Sequence, residues 1–257
     1  MTIRIIAEAG PNHNGSLERA LEMVRVAKEC GADTIKFQHI DPEHFPADME
    51  WQGYNMRALF KDVRFSQRKW RKVMTECEKR EIDFLCAPQT VRDFEDLLEL
   101  GIKGVKVSSD NSGNLPLLKK IKESGIPAFR SLGMVDGETL LFLIPDEVYF
   151  VCTSEYPCPP ESVNISRLHG MEPRFCGFSD HTQGNTAAVM AVALGAQVIE
   201  KHFTLDKSLE GPDHWWSADP EQLKSYIGEI RLAERMLGDG EFKPTEGELA
   251  NMKLRGL

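Results

Sequence analysis

The chain has 257 residues, of which 41% are hydrophobic and 28% charged, with a formal net charge of −9. That composition fits an ordinary soluble globular protein with a sizeable core. The acidic balance argues against general binding to nucleic acid or to an anionic membrane, although a local group of lysines could still hold an anionic substrate.

The N-terminal stretch IRIIAEA (3–9) predicts a first strand, and SLERALEMVRVAKECG (16–31) a helix with Ser16 as N-cap and Gly31 as its stop. DTIKFQ (33–38) is the second strand, and a long polar, aromatic loop follows to about Val63. A helix over 66–80 leads to strand 82–88, and a helix over 90–100 to strand 104–109. A helix over 115–125 precedes a weak strand, 127–132, and a helix over 136–143 precedes strand 147–153. A helix over 160–169 precedes strand 174–179, and a helix over 185–195 precedes strand 196–203. A last helix over 220–238 completes eight strand–helix units. Strands alternating with helices imply a parallel sheet with right-handed crossovers. Eight units in about 250 residues is the size of an α/β protein of the (β/α)8 TIM-barrel class. A doubly wound open sheet is the rival, but no G-x-G-x-x-G follows the first strand.

No apolar run approaches the roughly 20 residues of a membrane span. The opening MTIRIIAEAG is too short and too quickly acidic for a signal peptide. A cytoplasmic location is expected. The six cysteines, Cys30, Cys77, Cys86, Cys152, Cys158 and Cys176, form no C-x-x-C pair and are expected as free buried thiols.

In a TIM barrel the active site gathers at the C-terminal ends of the strands. Glu8 ends strand one there, Lys36 and Gln38 end strand two, and Lys106, Ser108 and Ser109 end strand four. Ser131 ends strand five, Tyr156 follows strand six, and Ser179, Asp180 and His181 end strand seven. His202 ends strand eight, with Asp213 on the loop beyond. His181 and His202 stand 21 residues apart on adjacent strands, so both should face one pocket. Each alone could be a polar loop residue with a local hydrogen bond. Together they read as ligands of a catalytic divalent metal such as Mn, Fe, Co or Zn, with open positions for water and substrate. Asp180 could orient a neighbour or cap the following helix. Lys36 and Lys106 end otherwise apolar strands and could hold a doubly charged phosphate with nearby serines. They could instead pair with Glu8 or Asp213, or one could form a Schiff base.

Four segments carry a resemblance: 6–38, GFSDHTQGN (177–185), VALGAQVIEKHFTLDKSLEGPDH (192–214) and RLAERMLGDGEFKPTEGE (231–248). On these the chain resembles the sialic acid synthase family, the barrel domain of N-acetylneuraminate synthase and its legionaminate and pseudaminate relatives. The resemblance implies condensation of phosphoenolpyruvate with an aldose, such as an amino sugar, to give a nonulosonic acid and phosphate. It makes His181 and His202 the ligands of a divalent metal, commonly Mn. It makes Lys36, Lys106, Ser109, Ser131 and Ser179 the phosphoenolpyruvate cradle. It gives Glu8 and Asp213 contacts to the sugar and proton handling, and it makes Gln38 and Tyr156 pocket residues. The expected organisation is one catalytic barrel domain over 1–257, acting as a homodimer. Many members continue into a small antifreeze-like domain that reaches a partner's active site.

The chain departs from the family pattern at several pocket positions. Ala87 stands where a phosphate-contacting Thr is usual, and Asp110 and Asn111 replace a Gly-Glu pair. Residues 131–134 read SLGM rather than STGM, and Ser154 replaces an Asn. Trp215 and Trp216 follow Asp213 and could stack on a sugar face, or serve as dimer or lid packing. A divalent-metal aldolase or isomerase acting on a sugar without phosphoenolpyruvate is the competing expectation. A non-catalytic sugar-binding barrel is a third. It fits poorly with the survival of both histidines, both lysines and both carboxylates.

Overall fold

The computed structural model describes residues 2–136, 147–171 and 176–255. Eight strands form one parallel sheet: β1 (Arg4–Gly10), β2 (Thr34–His39), β3 (Asp83–Pro88), β4 (Val105–Val107), β5 (Ala128–Ser131), β6 (Val148–Val151), β7 (Cys176–Asp180) and β8 (Val198–His202). Their order is β3-β2-β1-β8-β7-β6-β5-β4, so the first and last strands pair and the sheet curls into a barrel. β3 and β4 lie side by side without a ladder, and the barrel is nearly closed there. This is the TIM barrel that the alternation of elements implied.

Period-2 alternation sorts the strand residues. On β1, Ile5, Ala7 and Ala9 join the main core under the helices, whereas Ile6 and Glu8 turn into the barrel. The lower interior is filled by Ile6, Leu85, Phe129, Phe150 and Val198. Gly177 leaves room for the plug at this level, because a Cβ there would lie a tight 3.0 Å from the Phe150 ring. Above this plug the interior turns polar.

The helices start and stop where the sequence signals them. Helix α1 (Leu17–Cys30) opens on Ser16, whose side chain accepts from the Arg19 N–H, and closes on Gly31 at φ 97°. After it come α2 (Met56–Val63), α3 (Gln67–Lys79), α4 (Val91–Leu100), α5 (Leu115–Ser124), α6 (Thr186–Ala193), α7 (Pro220–Leu237) and α8 (Glu246–Asn251).

Two expectations need correction. The stretch from 39 to 63 is not all loop. It holds a small hairpin, Glu50–Trp51 against Tyr54–Asn55, and then α2. Asn55 caps α2 by accepting from the Ala58 N–H, and Met56, Leu59, Phe60 and Val63 share one helical face against Ile40 and Phe45. The expected helix 160–169 is two short 3-10 turns, Pro160–Ser162 and Ile165–Gly170. Asn164 between the turns sits at φ 46°, so no α-helical ladder can run through. The expected helix 136–143 lies, apart from its first residue, outside the described residues, as do 174 and 175 of the strand before Cys176. All six cysteines are free and buried.

Candidate active site

Of the thirteen side chains singled out at the strand ends and adjoining loops, all but Asp180 line one cavity of about 430 Å³ at the C-terminal mouth of the barrel. Register explains much of the convergence. Glu8 on β1 is the ladder partner of both Lys36 on β2 and His202 on β8. Neighbouring strands at equal height send side chains of like parity to the same interior.

The floor is a buried ion cluster. Lys36 Nζ lies 3.0 Å from Glu8 Oε1 and 3.6 Å from Glu200 Oε1. Lys106 Nζ lies 3.6 Å from the same Glu200 oxygen and donates to Ser131 Oγ. Ser179 Oγ donates to Glu200 Oε1 at 2.9 Å. Gln38 Nε2 donates to Glu8 Oε1 at 3.4 Å. The second carboxyl oxygens, Glu8 Oε2 and Glu200 Oε2, are buried and find no partner among the described residues. Such orphans are costly in a finished core and mark a place where a ligand completes the network.

The environment pushes the two carboxyls apart. Burial raises the pKa of Glu8, more than its contact with Lys36 lowers it. Burial also opposes ionisation of Glu200, yet Lys106 and Lys36 together overcome it and bring its pKa down to about 2. Burial likewise works against both ammonium groups. Lys36 is held above its ordinary pKa by Glu200 and Glu8, whereas Lys106 falls below it. Two carboxyls with opposite shifts in one site take different chemical roles. Glu8 is the group that can hold a proton, and Glu200 is the fixed anion that favours the charged form of both lysines.

Ser109 sits beside this floor. Its Oγ accepts from the Gly133 N–H at 3.2 Å and lies 3.2 Å from Cys152 Sγ. Gly133 allows that approach, because a Cβ there would fall 2.6 Å from Ser109 Oγ and 2.3 Å from Ser154 Oγ.

The histidines form the upper rim. His181 Nδ1 donates to the Thr153 carbonyl at 2.6 Å, which leaves Nε2 as the lone-pair nitrogen. Burial, with His202 as a second cause, lowers the His181 pKa to about 3, so its ring is neutral across the physiological range. The two imidazole centroids are 5.5 Å apart. His202 Nδ1 is buried without a hydrogen-bond partner, and Asp213 Oδ2 is 3.6 Å from it. A neutral imidazole with its second nitrogen anchored, beside a second imidazole with an orphaned nitrogen, fits a borderline divalent cation. Among the described residues no group of three or more ligating side chains gathers, so water and substrate would fill most positions.

Tyr156 packs against His181 with ring centroids 4.3 Å apart. The adjacent tryptophans divide their work. Trp216 is 3% exposed, 4.4 Å from the His202 ring, and donates to the Pro212 carbonyl. It packs behind the rim and offers no open face to a sugar. Trp215 is 54% exposed and donates to Gln52 Oε1. Asp180 faces away from the cavity. It accepts from Tyr226 Oη at 2.9 Å and from Thr182, pairs with Lys201, and so fixes the turn after β7. Of the altered positions, Ala87, Asp110 and Ser154 line the cavity, and Gln89 donates to Asp110.

Glu200 is the residue the sequence reading missed. The signal was present in VIEKHF, because Glu200 lies two residues before His202 and must share its face of β8.

Comparison with known proteins places this architecture. The family model described as NeuB matches residues 23–242. An uncharacterized protein of Methanocaldococcus jannaschii is 39% identical over 95% of this chain and 74% of its own. The N,N'-diacetyllegionaminic acid synthase of Legionella pneumophila is 36% identical over 97% of this chain and 77% of its own. Among solved structures, the N-acetylneuraminic acid (sialic acid) synthetase of Leptospira borgpetersenii superposes with a TM-score of 0.90 at 29% identity, covering 99% of this chain and 92% of that one. With the barrel, the strand-end cluster and a match over most of its length in agreement, the chain belongs to the NeuB family.

Proposed function

We propose that this enzyme joins phosphoenolpyruvate to the open-chain aldehyde of an amino sugar or related aldose, giving a nonulosonic acid and phosphate with the help of a divalent cation. The observation that carries the reading is the floor of the cavity, where two buried lysines flank one carboxylate directly beneath a histidine pair. A sugar isomerase or simple metal aldolase has no need of a second buried ammonium. A substrate bearing both a phosphate and a carboxylate does.

In this reading Lys36 and Lys106 counter the phosphate charge, and Ser109, Ser131 and Ser179 supply hydroxyls around it. Asp213, Gln38 and Tyr156 hold the sugar. A divalent cation, most suitably Mn, held by His181 and His202 would polarise the aldehyde oxygen as a Lewis acid. C3 of phosphoenolpyruvate forms the new bond to the aldehyde carbon as its double bond opens, and water adds at C2. The C2–O bond to the phosphate then breaks, the phosphate leaves with the electron pair, and the C2 hydroxyl passes its proton to the phosphate as it becomes the keto group. Glu8 gives the proton that the new alkoxide needs, and the water that adds at C2 returns one. Glu200 stays ionised throughout and favours the cationic form of both lysines.

The proposal extends to a cytoplasmic homodimer. No helix among the described residues is long and apolar enough to cross a membrane. Met236, Leu237 and Phe242 stand exposed along the end of α7 and the segment after it, which supports a covered face there. The test is phosphate release from phosphoenolpyruvate across a panel of aldoses with Mn present. Release that depends on an aldose is the expected result. Turnover of sugars with phosphoenolpyruvate untouched would favour the aldolase reading instead.

A further inference from the structure

Behind the histidine rim, on the outer face of the barrel, lies a second buried ion pair. The ladder between β7 and β8 pairs Ser179 with Glu200 and ends on the rung Asp180–Lys201. Alternation sends Ser179 and Glu200 into the barrel and Asp180 and Lys201 to its outer face. Two residues earlier on that face, Phe178 and Ile199 join the apolar core under the helices. An aspartate and a lysine stand where apolar side chains would continue the pattern, and they are 0% and 6% exposed. The next residue on each strand is a histidine of the rim, His181 on one and His202 on the other.

The pair is fully engaged. Asp180 Oδ2 takes Lys201 Nζ at 3.1 Å and Tyr226 Oη of α7 at 2.9 Å. Asp180 Oδ1 accepts from the Thr182 N–H at 2.8 Å and from Thr182 Oγ1 at 2.7 Å. Lys201 Nζ donates to the Thr182 carbonyl at 2.5 Å and stands 5.0 Å from the centre of the Tyr226 ring. Glu8 and Glu200 each keep an orphaned oxygen, whereas both Asp180 oxygens are satisfied from within the protein. This pair is built to hold its neighbours and not to receive a ligand.

Stability alone gives little reason for it. Replacing a buried ion pair by apolar side chains of similar size is often neutral or stabilising. What the pair adds is direction. Apolar neighbours tolerate small slips, whereas these bonds close at one offset of β7 against β8. They also hold His181 from both sides. Asp180 precedes it, and the N–H, hydroxyl and carbonyl of Thr182 after it are all tied to the pair. We infer that Asp180 and Lys201 are positioning residues, whose ion pair, braced by Tyr226, sets the orientation and separation of His181 and His202. The consequence for a bound cation rests on the metal reading given above.

Two variants test this. Asp180→Asn/Lys201→Met removes both charges together, so neither is left buried alone, and the amide oxygen can still accept from Thr182. Tyr226→Phe removes only the brace and serves if the double variant does not fold. Cobalt(II) is titrated into each protein beside thermal unfolding, because its visible absorption reports ligand geometry. The double variant should bind cobalt(II) at least about tenfold more weakly, with an altered absorption band, while its affinity for inorganic phosphate stays native. Tyr226→Phe should shift both cobalt readings in the same direction by less. A merely structural pair would lower the melting temperature and leave cobalt affinity and absorption native, and that result would overturn the inference. The imidazole signals in heteronuclear NMR give a reading that needs no metal. The His181 Nδ1–H, bonded to the Thr153 carbonyl, should shift or exchange faster in the double variant. If the native protein binds no cobalt(II), or binds it equally well after His181→Ala, the metal reading falls and the Nδ1–H signal of His181 decides the positioning. A shifted signal then sustains it, and an unchanged one overturns it.

Discussion

Lys106 and Glu200 face each other inside the barrel, with Nζ 3.6 Å from Oε1 and both side chains almost completely buried. Glu200 holds Lys36 at the same distance from the same oxygen. One carboxylate thus contacts two buried ammonium groups, of which Lys36 also pairs with Glu8 at 3.0 Å.

Glu200→Gln should therefore destabilise the fold more than an ordinary polar substitution. Removing one partner of a buried ion pair costs roughly 3–5 kcal/mol, because the remaining charge is left uncompensated. Inorganic phosphate should restore part of that loss, since an anion between the lysines replaces the missing charge. Thermal unfolding with and without phosphate checks this. The phosphate-induced rise in melting temperature should be larger for the variant than for the native protein. An equal or smaller rise would mean that the lysines do not form an anion site.

The floor and the rim should separate in binding experiments. Lys36→Ala and Lys106→Ala should each weaken phosphate or phosphoenolpyruvate binding by at least about tenfold, from loss of a charge-assisted contact of roughly 1.5–3 kcal/mol. Their content of divalent metal should stay near that of the native protein. The His181→Ala/His202→Ala double variant should show the reverse, with metal lost. Elemental analysis alongside phosphate titration reads both. Metal content unchanged in the double variant would dismiss the histidine pair as a metal site.

Gly133→Ala tests the close approach beneath Ser109. The added Cβ would fall 2.6 Å from Ser109 Oγ and 2.3 Å from Ser154 Oγ, so one of them must move. Overpacking of this kind typically costs about 1–3 kcal/mol. If Ser109 belongs to the phosphate cradle, phosphate affinity should fall as well, whereas metal content should not. A destabilised variant with native phosphate affinity would leave Ser109 a purely structural neighbour.

The barrel was legible because its signals are local and repeat. Ser16 and Gly31 bracket α1, and apolar strands alternate with amphipathic stretches along the chain. The strand-end rule then gathered residues as distant as Glu8 and Asp213 into one cavity. What escaped depended on partners that local sequence does not display. The helix over Met56–Val63 is amphipathic, but its apolar face packs on Ile40 and Phe45 of its own segment, which looked like loop. Adjacent tryptophans cannot be told apart by composition, yet the turn after Asp213 buries Trp216 and exposes Trp215. Glu200 was readable by parity with His202, but a carboxylate inside an apolar strand draws attention only once the two lysines it balances are seen beside it.

Acid should destabilise the fold from a well-defined point, and His13 gives the clearest handle on it. The ring is buried among Phe37, Phe65 and Trp70, with the Phe65 centroid 4.2 Å away. Burial, with Lys69 and Arg19 as lesser causes, lowers its pKa from 6.5 to about 3. The folded ring is neutral where the unfolded one takes up a proton. Its stabilising contribution is therefore complete above about pH 6.5 and is lost progressively as pH falls toward 3. His181 follows the same course, with its pKa also near 3. Within pH 4.5–6 each such histidine should add close to one proton of uptake on unfolding, or about 1.4 kcal/mol per pH unit. His13→Asn keeps an acceptor for the Gly15 N–H, which Nδ1 now serves at 3.2 Å, and removes the titration. Its absolute stability should be lower because the aromatic packing is lost. Its slope of unfolding free energy against pH, measured by urea denaturation, should be shallower than the native slope by about one proton. Parallel slopes for the two proteins would show that His13 titrates alike in both states, and the burial argument would fail.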